Sequence, residues 1–69
     1  MITKVVVQEQ MGKDFKHAVI TKIDDGSDIT YELLCALEGE VRRTQFFKSL
    51  VEAKNKSNEW TNKGDVING

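Results

Sequence analysis

The chain has 69 residues, with ten Lys or Arg, eleven Asp or Glu, one cysteine and no proline, for a formal net charge of −1. A domain this short buries only about 60% of the surface that its unfolded chain exposes, so its core is thin and association with a second copy or another protein would strengthen it. The balanced charge excludes a general attraction to nucleic acid or acidic lipid, and the lone Cys35 excludes an intramolecular disulfide. No signal-peptide pattern or long apolar run is present, so the expectation is a soluble cytoplasmic protein with no membrane partner.

Residues 2–8, Ile-Thr-Lys-Val-Val-Val-Gln, are short and β-branched and predict a first strand. Gly12 and its polar neighbours supply the connection to the second. Residues 15–23 alternate weakly, with Phe15, Val19 and Ile23 on one face and His17 and Thr21 between them. Residues 29–37 alternate cleanly: Ile29, Tyr31, Leu33, Cys35 and Leu37 are all apolar, the pattern of a half-buried strand.

Between these strands lies Asp24-Asp25-Gly26-Ser27-Asp28. Its carboxylates resemble a calcium loop only superficially, because that loop spreads ligands over about twelve residues, ends in a glutamate and is flanked by helices. Turn formation explains the composition. A two-residue Asp25-Gly26 turn would place the two apolar faces on opposite sides of the sheet. The expectation is therefore an odd loop of three or five residues with a bulge, aligning Ile23 with Ile29, Val19 with Leu33 and Phe15 with Leu37.

Glu38-Gly39-Glu40 predicts another turn, and residues 41–47 predict a fourth strand rather than the start of a long helix. On a helix Val41 would fall opposite the stripe of Phe46, Leu50 and Ala53. Ser49-Leu50-Val51-Glu52 also has the form of a capping box, which starts a helix at Leu50 that runs to about Trp60. Eleven residues do not hold a helix alone, so it must dock on the sheet. The fold class expected is α+β: an antiparallel meander of three to four strands with a C-terminal helix packed on one face. Residues 1–60 form the single domain and 61–69 a polar, loose tail.

The odd positions of the first three strands are expected to face the helix. The outer face then carries Lys4, Val6, Lys16, Ala18, Ile20, Lys22, Glu32, Leu34 and Ala36, joined by Arg42 or Arg43. This mixture of apolar and cationic side chains marks a contact surface, with Ile20, Leu34, Ala18, Lys16, Lys22, Arg42 and Arg43 as the partner-binding residues. Catalysis has little support. His17 would lie opposite Cys35, but on the helix side, where substrate has no access, and no phosphate loop, metal-ligand spacing or cofactor motif occurs.

Two function classes follow. The first is a non-catalytic interaction protein that binds a protein partner, or itself as a homo-oligomer, in the size class of small inhibitors and regulators of phage and other mobile elements. The second is a nucleic-acid-binding module using Lys4, Lys16, Lys22 and Arg42 or Arg43. Phe47 followed by Ser49-Leu50-Val51-Glu52-Ala53, behind a small sheet, is loosely similar to the DNA-binding arm domains of phage-type integrases, and that resemblance implies the second class. Glu32 within the patch and the lack of an outward aromatic for base stacking favour the first.

Overall fold

The computed structural model describes residues 1–62. Strands β1 (Thr3–Met11), β2 (Lys16–Asp24), β3 (Ile29–Leu37) and β4 (Glu40–Phe47) pair in sequence order as one antiparallel sheet, and helix α1 (Leu50–Asn62) follows. The architecture is the expected meander with a C-terminal helix packed on the sheet. Residues 41–47 are indeed strand, and the helix runs two residues beyond Trp60. Thr61 and Asn62, assigned above to the tail, are thus helical, and the rest of that tail, 63–69, lies outside the described residues.

The β2–β3 register corrects the expected alignment. Asp24 pairs with Ile29, Ile20 with Leu33, Ala18 with Cys35 and Lys16 with Leu37. The loop therefore has four residues, Asp25–Asp28, and it is the even positions of β2 that share a face with the odd positions of β3. The carboxylates explain why this loop length is stable. Asp24 Oδ1 accepts from the Gly26 amide at 2.9 Å, and Asp25 Oδ1 accepts from the Ser27 and Asp28 amides at 2.8 and 2.7 Å. These side chains satisfy the loop's backbone donors, and Gly26 takes the positive φ of 98° that one position needs. Phe15, expected opposite Leu37, instead sits in the β1–β2 connection with a φ of 63°, largely exposed.

Two bulges shift the outer strands. Val6 pairs with Thr21 but Gln8 with Ile20, which leaves Val7 as the extra residue of β1. Cys35 pairs with Arg43 but Ala36 with Val41, which leaves Arg42 as the extra residue of β4. A bulge inverts side-chain parity beyond it. Gln8 and Gln10 therefore turn toward the helix, while Glu9 joins the opposite face. The β3–β4 turn has two residues, Glu38 and Gly39, both at positive φ as a tight hairpin with right-handed twist requires.

The helix lies mainly over β2 and β3. The core consists of Ala18, Ile20, Leu33, Cys35 and Ala53, with Tyr31, Phe47, Leu50 and Trp60 packed against it. Its helical side is made of small residues four apart, the buried Ala53, Ser57 and Thr61. Small side chains let the helix backbone come close to the sheet, and Gly12 shows how close. A Cβ at Gly12 would strike the Thr61 carbonyl oxygen and stand 2.8 Å from the Thr61 Cα and Cβ. Ser57 Oγ donates to Gln10 Oε1 at 2.7 Å and Gln10 Nε2 donates to Asn58 Oδ1 at 2.9 Å, while Gln45 Oε1, on the same side of the sheet beside Leu33, is buried without a partner. The Trp60 indole N–H reaches the carbonyls of His17 and Ala36 at 3.1 and 3.2 Å, which ties the last full turn of the helix to the two central strands.

Candidate functional site: the uncovered sheet face

With the helix on one side, the other side of the sheet carries four cross-strand rows. Met11, His17, Ala36 and Val41 form one, and Glu9, Val19, Leu34 and Thr44 the next. Val6, Thr21, Glu32 and Phe46 form the third, and Lys4, Ile23 and Thr30 the last. Val19 and Leu34 sit at the centre, half-buried by their neighbours. Around them Val6, Met11, Val41 and Phe46 are exposed at 55, 73, 55 and 59%. Charge is confined to Lys4, Glu9 and Glu32 among these positions. The face mixes apolar side chains with threonines and these few charges, and no described element covers it.

Several residues expected here lie elsewhere. Ala18 and Ile20 are fully buried beneath the helix, and Lys16 is 4% exposed on that same side. Lys22 pairs with Tyr31 and Arg43 with Cys35, so both belong to the helix side, and Arg42 occupies the β4 bulge, where it pairs with Glu40 at 3.2 Å. Leu34, with Lys4, Val6, Glu32 and Ala36, is on the outer face as expected. The physical reason is the register: a four-residue loop instead of an odd one turns every β2 side chain over. Lys16 finds a use in the core region, where its stem is buried and its Nζ sits 4.9 Å from the centroid of the Trp60 ring. The cations named for nucleic-acid binding are therefore divided between the two sides and do not form one surface. Val19, Ile23, Met11, Val41 and Phe46, which do belong to the outer face, escaped sequence reasoning. Val19 and Ile23 are expected in the helix-facing set of β2, and the signal against that expectation is the competing apolar set of Ala18 and Ile20.

The expected pairing of His17 with Cys35 is also corrected. His17 lies opposite Ala36 on the outer face and Cys35 opposite Ala18 in the core, on opposite sides of the sheet. Burial pushes the Cys35 thiol above its ordinary value of 9.0, with Arg43 opposing the shift, so at neutral pH it is a protonated packing group. In the loop, the Asp28 and Ser27 amides hold the Asp25 carboxyl below its usual 3.8, which marks it as a turn former. Among the described residues no three His, Cys, Asp or Glu side chains cluster as metal ligands, and no helix is long and apolar enough to cross a membrane.

At one end of the outer face an open groove of about 490 Å³ is lined by Met11, Phe15, His17, Glu38 and Gly39. The backbone presents Phe15 from two consecutive left-handed residues, Asp14 and Phe15, with φ of 60° and 63°. Each such non-glycine residue costs about 1 kcal/mol or more. The Phe15 carbonyl accepts from the Glu38 amide at 3.1 Å, which ties this loop to the β3–β4 turn. The chain matches no protein-family model, and neither a curated protein nor a solved structure is significantly similar to it.

Proposed function

We propose that this is a small non-catalytic interaction domain that binds a protein partner through the uncovered face of its sheet, acting as an inhibitor or regulator of the kind common in phage and other mobile elements. The observation that carries the reading is the apolar character of that face: Val19 and Leu34 lie side by side at its centre, with exposed Val6, Met11, Val41 and Phe46 at the positions diagonal to them. Exposed apolar side chains gathered on one uncovered face are a usual mark of a recognition surface. The charges among them carry both signs, with Glu9 beside Val19, Glu32 beside Leu34 and Lys4 toward one end, which suits a protein surface better than a phosphate backbone. The Phe15 side chain, exposed at 76% at the end of the face, adds an aromatic anchor of the type that dominates binding energy.

The test is affinity capture from the lysate of the source cells or of their host, using the wild-type chain and the Leu34→Lys variant, with nuclease added. The proposal expects a protein that survives nuclease and high salt on the wild-type chain and is lost from the variant, because the new charge would be desolvated in the contact. Capture of nucleic acid that weakens steeply with salt, and strengthens with the added lysine, would replace this reading with the nucleic-acid one.

A further inference from the structure

The two edges of the sheet differ, and the difference points to a second copy of the chain. The β4 edge carries exposed Val41 and Phe46 but sets Glu40, Arg42 and Arg43 around Val41, charged residues of the kind that keep natural edges from pairing. The β1 edge carries Val5, Val6 and Val7, exposed at 51, 55 and 41%. These valines do not share one face: Val5 pairs with Lys22 on the helix side, Val6 pairs with Thr21 on the outer side, and Val7 is the bulge residue. A surface docking on one face would cover one valine and leave the others exposed. A strand lying alongside β1 covers them on both faces and satisfies the edge's unpaired backbone groups.

We propose that β1 pairs antiparallel with β1 of a second copy, building one eight-stranded sheet about a two-fold axis perpendicular to it. Charge fixes the direction. Lys4 and Glu9 flank the valine run, and the bulge brings both to the outer face, opposite Ile23 and Val19 respectively. With Val6 of each copy facing Val6 of the other, Lys4 of each copy lies beside Glu9 of the other at both ends of the contact. Parallel pairing would set lysine against lysine. The isologous geometry closes after two copies, and both helices lie on the same face of the joined sheet. The thin core of so small a chain is thereby extended without covering the outer face that the partner reading needs.

Sedimentation velocity at tens of micromolar tests this with the wild-type chain and two variants. The wild type is expected to sediment at twice the chain mass. Val5→Glu replaces an exposed residue beside Lys22 and is expected to give a folded monomer that still captures the partner. Leu34→Lys is expected to remain dimeric while losing the partner, so the two claims fail separately. A monomeric wild type, a dimeric Val5→Glu chain or a Leu34→Lys chain that dissociates would each overturn the proposal. Should Val5→Glu fail to fold, hydrogen exchange on the wild type decides. Concentration-dependent protection of amides in β1 and not in β4 supports the pairing, and its absence contradicts it.

Discussion

Single atoms decide how close the helix comes to the sheet. Gly12 is needed for space, since its φ of −126° is open to any residue. Gly12→Ala would drive a methyl group into the Thr61 backbone, and the backbone cannot step aside as a flexible side chain can. The expected loss is about 1–3 kcal/mol, read as a lower urea midpoint with unchanged slope. Cys35 is a packing residue whose thiol also carries a pH signature. Because its folded-state value is raised, the folded chain keeps a proton that the unfolded chain releases, so the stability it contributes is present below pH 9.0 and fades as pH rises through the folded value. Cys35→Ala should cost about 1–2 kcal/mol at neutral pH through lost packing. The gap between wild type and variant should narrow above pH 9.0, and parallel urea curves across that range check it.

Each element shows a different balance between local pattern and context. β3 was fully legible because every odd position from Ile29 to Leu37 is apolar, while Thr30 and Glu32 break the even set. The β3–β4 turn was legible because Gly39 supplies a positive φ where the chain must reverse. β2 was not, because Ala18 and Ile20 compete with Val19 and Ile23, and either set makes a credible core face. The competition is settled by things that β2 does not contain: the carboxylate-capped four-residue loop and the small-residue helix face above. Alanine at position 18 suits a close helix, and Ser57 and Thr61 join the core because their hydroxyls have partners in Gln10 and the Ser57 carbonyl. Polar residues in those positions hid the helix stripe from a hydrophobicity pattern. The bulges at Val7 and Arg42 were equally hidden, because no glycine marks either. The helix start was legible in Ser49, and its strength is now clearer. Ser49 Oγ accepts from the Glu52 amide at 3.5 Å, a long bond, so Ser49→Ala should cost only about 0.5 kcal/mol, the lower end for an N-cap. A loss above about 2 kcal/mol in chemical denaturation would mean that the serine does more than cap.

For the whole molecule, the register of one hairpin selects which side chains are core and which are available to a partner. Ile20 and Val19 are neighbours in sequence and similar in character, yet Ile20 is inaccessible and Val19 belongs to the open face. The same holds across the pair, where Leu33 is core and Leu34 is surface. Everything inferred about recognition depends on this division, and so does the separation of the basic residues that weakens the nucleic-acid reading. The most direct measurement is equilibrium urea denaturation of Ile20→Lys beside Leu34→Lys, each followed by far-UV circular dichroism. Ile20→Lys should abolish cooperative folding or remove several kcal/mol, because it places an unpaired ammonium in the core, whereas Leu34→Lys should stay folded within about 1 kcal/mol of wild type. The reverse order, with Ile20→Lys tolerated and Leu34→Lys unfolded, would show that the helix covers the other face and would contradict the account.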